Sequence, residues 1–247
     1  MDRMIFTAMT GAQHILDQQA TNSHNLANAT STGFKAQIDT FRAVPVVGDG
    51  LNTRSMVVNA TSGADFTPGA IQQTGRSLDV AVEGKGWFCV QRANGTEGYT
   101  RNGSFKVSAN GLLQTASGLN VLGDGGPITV PPNSIISIGG DGSISSVNDG
   151  GNPGPSTSLD RLKLVNPDEK TLVRGVDGLF NTNGGPAQSD PTVRVVNGAL
   201  ESSNVSVVHA MVNMIALARQ FDVQMKLMQN AESNDSRAAQ LYSMAGG

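Results

Sequence analysis

The end of the chain decides the fold, and residues 201–247 read ESSNVSVVHAMVNMIALARQFDVQMKLMQNAESNDSRAAQLYSMAGG. No proline interrupts this stretch, and Ser203 or Asn204 can cap its start, so it predicts a helix of about forty residues. Apolar residues recur there at alternating steps of four and three, which is the spacing of a heptad seam. We predict a C-terminal helical domain over residues 200–247. The seam residues are Val207, Met211, Met214, Ala218, Phe221, Met225 and Met228.

A second amphipathic helix is predicted at the start of the chain. Apolar residues there repeat at steps of four, three and four, which places them on one narrow stripe of a helix. A helix with so narrow an apolar stripe needs a partner, so we expect the two terminal helices to pair as a coiled coil. The stripe consists of Ile5, Met9, Ala12 and Leu16, and Leu26 extends its register.

A row of asparagines runs along the same helix at three-residue steps, at Asn22, Asn25 and Asn28. Amide side chains both donate and accept, so we expect this row to form hydrogen bonds between closely packed helices. Gly33 follows, and glycine readily adopts the left-handed conformation that closes a helix. The N-terminal helical domain is therefore predicted to cover residues 1–31.

The centre of the chain has the period of two that is typical of β-strands. Apolar and polar residues alternate over residues 78–83, and similar short runs are separated by Asn-Gly and Asp-Gly turn signals. We predict a Gly-rich, antiparallel, all-β domain over residues 76–199, so the fold class is mainly β with flanking α-helices. Further strands are expected at Trp87–Gln91, Ser104–Val107, Leu112–Thr115, Ile135–Ile138, Leu159–Val165 and Thr192–Val196.

Two stretches show little periodicity. Residues 32–75 have neither a helical nor a strand period, and we predict that they form an extended connector. Residues 148–158 are rich in glycine, proline and serine, which is typical of a surface loop.

Composition excludes several classes of protein. The net charge is −3 and only 15% of residues are charged, without a run of basic residues, so nucleic acid is not an expected partner. The one cysteine, Cys89, cannot form an internal disulfide and is expected to be a buried strand residue. The N-terminus lacks the apolar run of a cleaved signal peptide, and no apolar stretch is long enough to predict insertion into a membrane.

The motifs of common enzymes and cofactor sites are incomplete in this sequence. Gly84-Lys85-Gly86 lacks the glycines of a dinucleotide or phosphate loop, and the three histidines have no metal-ligand spacing. We therefore predict no catalytic residue, no metal site and no cofactor. Asp79 and Glu83 could face one way from a single strand, but an outward polar face explains the same pattern.

Four blocks of sequence, in order along the chain, resemble the bacterial flagellar axial family of rod, hook and hook-associated proteins. They are NLANATSTGFK at 25–35, SLDVAVEGKGWF at 77–88, YTRNGSF at 99–105 and GALESSNV at 198–205. The opening MDRMIFTAMTGA and the overall length are most similar to the proximal rod members of the family. Two departures from the usual pattern are His24, where the family usually has Asn, and Trp87, where it usually has Phe.

The resemblance implies a structural subunit of the basal-body rod and no enzymatic activity. Such a subunit is exported by the flagellar type III apparatus without a cleaved signal, and it is built into the rod that spans the periplasm. Its partners are copies of itself and other proximal and distal rod proteins. The terminal helices form the inner tube, and the assembly transmits torque.

Two other functions remain open from the residues alone. A β-rich enzyme acting on peptidoglycan would use Asp79 and Glu83, and a secreted β-domain binding module would use the helices merely to dimerise. The expected assembly interface consists of the apolar stripe, the asparagine row, Gly33 and the heptad seam.

Overall fold

The computed structural model describes residues 2–45, 55–148 and 156–245. Parts of the predicted connector (46–54) and of the predicted surface loop (149–155) lie outside these residues. The chain divides into two compact units. The helical unit comprises residues 1–28, 37–64 and 205–247, and the β unit comprises residues 29–36 and 65–204.

Helices stand at the two ends of the chain and strands lie between them. The helices are α1 (Asp2–Ala27) and α2 (Val207–Ala245), and a short 3-10 helix covers Glu169–Thr171. The strands are β1 (Gln37–Pro45), β2 (Ser55–Ala64), β3 (Ile71–Gln73), β4 (Val80–Glu83), β5 (Trp87–Gln91), β6 (Glu97–Thr100), β7 (Phe105–Val107), β8 (Leu113–Thr115), β9 (Asn120–Gly123), β10 (Gly126–Pro127), β11 (Ser134–Ile138), β12 (Ser143–Asn148), β13 (Thr157–Arg161), β14 (Leu164–Val165), β15 (Leu172–Arg174), β16 (Phe180–Thr182), β17 (Arg194–Asn197) and β18 (Ala199–Glu201).

In the helical unit, α1 and α2 contact each other, and α1 also packs on the hairpin of β1 and β2. The first helix ends at Ala27, four residues earlier than predicted. Hydrogen bonds from Asn28 to the last turn close the helix at this point. The backbone N–H of Asn28 donates to the carbonyls of His24 and Asn25, and its side-chain amide also donates to His24, 2.9 Å away. The backbone bond to His24 is the regular helical one, whereas the bond to Asn25 tightens the last turn and uses the carbonyl that the N–H of Ala29 would need to extend the helix.

The β1–β2 hairpin lies inside the stretch 32–75, which was predicted to be an extended connector. Its strands pair antiparallel from Gln37 with Ala64 to Pro45 with Ser55, and the register shifts between Thr40 and Phe41. The hairpin is not evident from the sequence because side-chain burial alternates along β1 but does not follow the apolar residues: Gln37 and Asp39 are half-buried, whereas Ile38 is exposed. A two-stranded ribbon is marginal alone and needs the packing of α1.

The β unit is built from antiparallel pairs. Its main sheet has the strand order β15-β16-β6-β5-β9-β8-β7, with β10 on β9 and β14 on β5. A three-stranded sheet β11-β12-β13 and the pairs β17-β4 and β18-β3 complete the described strands. One core joins these sheets, and it includes Val80, Phe88, Leu113, Ile138, Leu164 and Val195.

Most predicted strands are present, with small differences at their ends. Trp87–Gln91 has the predicted bounds, whereas Leu159–Val165 divides into β13 and β14. The predicted alternation around β4 is wrong, since Val80, Ala81 and Val82 are all buried, and so is Asp79. From Val80 to Val82 this strand is covered on both faces, and only its last residue, Glu83, is exposed.

Cys89 is buried in β5, as predicted. Its burial raises the pKa of the thiol to about 12, so the group stays protonated at neutral pH. Neither terminal helix, over the residues the structure covers, carries a stretch apolar enough to cross a membrane.

Candidate assembly site

The two terminal helices pack antiparallel in the helical unit. Asn22 of α1 donates from Nδ2 to the carbonyl of Ala210, 2.7 Å away, near the start of α2. Closer to the other end of α1, Gly11 faces the side chain of Gln224, which lies 3.3 Å from where a Cβ on Gly11 would stand. A small residue at this point allows the helices to approach closely.

The covered stripe of α2 repeats with the predicted heptad spacing but is centred on a neighbouring set of residues. Of the predicted seam, Met214, Phe221 and Met228 are half-buried, whereas Val207, Met211, Ala218 and Met225 are exposed. Apolar residues occupy two sides of this helix, and the sequence alone does not show which side its partner covers. The covered stripe is Ala210, Met214, Leu217, Phe221, Gln224, Met228 and Ala231.

The predicted stripe of α1 is likewise divided between two faces. Ala12 is buried, and Ile5 and Leu26 are half-buried. Met9 and Leu16 are exposed, each by about half of its surface, 54% and 50%. Ile15, which the sequence analysis did not select, is buried beside Ala12.

The asparagine row bonds within the chain, and each member has a different partner. Asn22 links the two helices, which agrees with the expected bond between closely packed helices. Asn25 bonds to both backbone groups of Gln37, donating to its carbonyl and accepting from its N–H, each at 2.8 Å. Asn28 bonds to its own helix. The row therefore fixes α1 against α2 and β1, and its role in assembly stays a prediction.

The hairpin is held to α1 at a second point. The His14 ring lies edge-on to the Phe41 ring, with centroids 5.4 Å apart, and its Nε2 is 2.5 Å from the carbonyl of Val57. Together with the Asn25 bonds, this contact fixes both hairpin strands on the helix.

Apolar side chains remain uncovered on the outer faces of both helices. On α2 the exposed row lies on the side opposite to the covered stripe, and on α1 it lies beside the buried Ala12. We call these rows the free faces. On α1 the free face consists of Phe6, Met9 and Leu16, and on α2 it consists of Val208, Met211, Val212 and Ile215.

A buried ionic cluster lies in the β unit. The Glu201 carboxylate accepts from Lys35 Nζ at 2.6 Å and from Arg101 Nη1 at 3.2 Å. The three side chains are 1%, 0% and 3% exposed, respectively. Burial lowers the pKa of Lys35 and of Arg101, and the nearby Glu201 carboxylate opposes both shifts. We call Lys35, Arg101 and Glu201 the Glu201 cluster.

The cluster ties together the three segments by which the chain enters and leaves the β unit. Lys35 donates to the carbonyl of Thr67 at 2.8 Å, and Glu201 accepts from the N–H of Gly69 at 2.9 Å. Asn204 accepts from the N–H of Ala36 at 2.7 Å and donates to the carbonyl of Asp65 at 2.8 Å. Residues near 35, 67 and 203 are thereby held side by side.

Gly33 belongs to the same region. Its φ is +67°, and a Cβ there would stand 2.4 Å from the carbonyl carbon of Arg101. Its N–H donates to the carbonyl of Glu201 at 2.7 Å. Gly33 has the predicted left-handed conformation, but α1 ends before it at Ala27, so the glycine does not close the helix. Its missing Cβ allows the chain to lie directly on the Arg101 backbone.

All four sequence blocks contribute to the Glu201 cluster, which the sequence analysis did not identify. The first block supplies Lys35, the third supplies Arg101, and the fourth supplies Glu201. The second supplies the carbonyls of Val82 and Gly84, which accept from Arg101. Three of the blocks each contain a single charged residue among uncharged ones, and this is the signal that could have indicated the cluster, because unlike charges far apart in sequence pair when buried.

The two carboxylates considered for catalysis lie in unlike environments. Asp79 is buried and accepts from Thr74 Oγ1 at 2.8 Å and Arg76 Nη1 at 3.0 Å, whereas Glu83 is exposed. Asp79 is thus engaged in holding a turn. Within the described ranges, no three His, Cys, Asp or Glu side chains are grouped so that they could hold a metal ion.

The chain is similar to flagellar proteins along its whole length. Residues 81–146 match the family described as the flagellar hook protein FlgE/F/G D1 domain, and residues 196–241 match the flagellar basal body rod FlgEFG protein C-terminal family. The flagellar basal-body rod protein FlgF of Salmonella typhimurium is 47% identical, and that of Escherichia coli is 48% identical. Each comparison covers 99% of this chain and 100% of the relative. The rod protein FlgG of Buchnera aphidicola is 31% identical over 92% of this chain and 96% of its own length.

Proposed function

Because the chain belongs to the flagellar basal-body rod protein family, as a structural subunit and not an enzyme, we propose that it polymerises through the free faces of its terminal helices. The observation that carries this proposal is the pair of uncovered apolar rows. Ile215 is 56% exposed and Val212 is 58% exposed, although both lie on a long regular helix. Burying such a side chain against a neighbour stabilises the assembly by roughly 1.5–3 kcal/mol.

In this proposal the helix pair contributes to the inner tube of the rod and packs as an antiparallel coiled coil. The alternating four and three spacing of the covered stripe from Ala210 to Ala231 supports it. The covered stripe holds α1 and α2 together, and the free faces are left for neighbouring subunits. In this way the two apolar sides of α2 have separate roles.

The partners in this proposal are further copies of the chain and other proximal and distal rod proteins. The subunit reaches the rod through the flagellar type III export apparatus, without a cleaved signal peptide, and the rod transmits torque across the periplasm. The family to which the chain belongs supports these partners and this location. A contact between subunits that does not close into a ring generates a helical assembly, which suits a rod.

We expect Ile215→Asp to prevent incorporation of the subunit into the rod. Assembly would then bury an unpaired carboxylate, and the free face would lose an apolar side chain. The measurement is complementation of a flagellated strain that lacks its own copy of this protein, read as swimming in soft agar. We expect no swimming, and isolated basal bodies without the subunit.

The matched control is Gln220→Asp, because Gln220 is exposed on the same helix but lies away from the free face. This variant should swim. Circular dichroism of both purified variants should show unchanged helix content. Normal swimming by cells that carry Ile215→Asp would contradict the proposal.

A further inference from the structure

Five asparagines in this chain are followed directly by glycine. The two residues of such a pair can react with each other, because glycine lets its backbone nitrogen approach the side-chain amide carbon of the asparagine. The reaction requires that the glycine N–H loses its proton and that the asparagine side chain turns towards it. Hydrogen bonds to either group therefore slow the reaction. The five pairs begin at Asn94, Asn102, Asn110, Asn183 and Asn197.

In three of the pairs the glycine N–H donates to a backbone carbonyl. Such a bond has to break before the nitrogen can attack, and breaking it costs free energy. In the first pair the asparagine is engaged as well, because Asn94 Oδ1 accepts from the N–H of Thr96 at 3.0 Å and from its hydroxyl at 2.7 Å. The three bonds run from Gly95 to Arg92 at 2.9 Å, from Gly111 to Ser108 at 2.9 Å and from Gly198 to Asp79 at 2.8 Å.

The pair at Asn102 is held by packing. Asn102 is half-buried, and its Oδ1 accepts from the N–H of Ser104 at 3.0 Å. Gly103 is buried, and a Cβ there would stand 1.7 Å from the carbonyl oxygen of Val80. So close a contact leaves no space for the ring that the reaction forms. This pair can therefore react only after local unfolding.

The pair at Asn183 lacks all of these constraints. Asn183 and Gly184 are both exposed, in the turn that follows β16. Neither the N–H of Gly184 nor the side-chain amide of Asn183 has a hydrogen-bond partner in residues 2–45, 55–148 or 156–245. Apart from its chain neighbours, no atom of these residues lies within 4 Å of where a Cβ on Gly184 would stand. The ring can thus form here while the fold stays closed.

We infer that Asn183 is a site of spontaneous deamidation in the folded protein. The Gly184 nitrogen loses its proton to hydroxide and forms a bond to Cγ of Asn183. The bond from Cγ to the side-chain nitrogen then breaks, and this nitrogen takes up a proton and leaves as ammonia. Water opens the resulting succinimide ring at either of its carbonyls, which gives aspartate or isoaspartate. Either product adds one negative charge to the turn at neutral pH.

The test follows all five pairs in one sample of the purified protein. The protein is kept at mildly alkaline pH, which favours loss of the Gly184 proton, and samples are digested at intervals. Mass spectrometry of the peptides shows each conversion of an amide to a carboxylic acid. We expect Asn183 to convert at least about tenfold faster than any of the other four, because reaction there does not wait for local opening.

Gly184→Ala is the variant that tests the attacking nitrogen. Its φ is outside the left-handed region and its new Cβ meets no neighbouring atom, so the variant should keep the fold. The methyl group obstructs the approach of the nitrogen, and we expect conversion at Asn183 to be at least about tenfold slower. The other four pairs should convert at the rates of the parent protein and are the control within the same sample.

A second control removes the fold. In guanidinium chloride the native hydrogen bonds are lost, and all five pairs should convert at rates within about threefold of one another. An undiminished lead of Asn183 in guanidinium chloride would overturn the inference, because local sequence and not the fold would then set the order. Conversion of another pair as fast as Asn183 in the folded protein would also overturn it, as would Gly184→Ala converting at the parent rate.

Discussion

Replacing Glu201 by glutamine should lower the free energy of unfolding by about 3–5 kcal/mol, because it leaves two buried cations without their carboxylate. Lys35 and Arg101 are almost completely buried, so water cannot replace the lost partner. The change is nearly isosteric, and the loss therefore reports charge rather than packing. For a chain of this length, we expect the thermal midpoint to fall by about 6–20 °C. Thermal unfolding followed by circular dichroism measures it.

Two further variants identify the cause of that loss. Glu83→Gln makes the same chemical change at an exposed end of β4, and it should alter stability by less than about 0.5 kcal/mol. Adding Lys35→Met to Glu201→Gln removes one of the two unpaired cations and should restore part of the stability. If Glu201→Gln unfolds at the same temperature as the parent protein, the carboxylate does not hold the cluster together.

Gly33→Ala should cost at least about 3 kcal/mol, because the new Cβ meets backbone and not a movable side chain. The φ of +67° is unfavourable for alanine, and the Cβ would stand 2.4 Å from the Arg101 carbonyl carbon. To relieve this collision, the chain would have to move away from Arg101. That movement would also weaken the hydrogen bond from the Gly33 N–H to the Glu201 carbonyl. Chemical denaturation of the purified protein measures this loss.

Gly95→Ala is the matched control for the backbone conformation. Gly95 has a φ of +81°, and nothing lies within 4 Å of its would-be Cβ. Alanine there should cost only the conformational strain, about 1–2 kcal/mol. The difference between the two variants is therefore the cost of the collision. If both variants lose the same unfolding free energy, the collision with Arg101 does not contribute to the destabilisation.

The sequence was sufficient to predict two terminal helices and a β region between them, because long periodic segments carry a strong signal. The terminal helices and the strand Trp87–Gln91 are where the periodicity places them. The β1–β2 hairpin was missed because the half-buried positions of β1 include the polar residues Gln37 and Asp39, whereas Ile38 is exposed. The alternation assumed at β4 failed because that strand is covered on both sides.

The assembly residues were predictable only in part. The heptad spacing of α2 is correct, but apolar residues line two sides of the helix, and the sequence does not identify the side that α1 covers. Met214 lies on the covered stripe, and Met211 lies on the free face. The distinction requires the antiparallel contact between Asn22 and Ala210, which joins residues 188 positions apart.

Local patterns do not show which charged residues pair in the Glu201 cluster. Lys35 and Glu201 are 166 residues apart, and each stands alone among uncharged neighbours. The four blocks that resemble the flagellar family nevertheless contain its members. A sequence motif that identifies a family can thus contain residues that stabilise the fold of the subunit and do not contact a partner.

The central claim is that the free face of α2 contacts other subunits, and photo-cross-linking within the assembled rod tests it most directly. A photoreactive benzoylphenylalanine is introduced in place of Ile215 or, as the control, Gln220, and intact flagellated cells are irradiated. We expect adducts between this chain and another rod subunit from position 215, with few from position 220. Adducts of similar yield from both positions, or none to another subunit from position 215, would contradict the account.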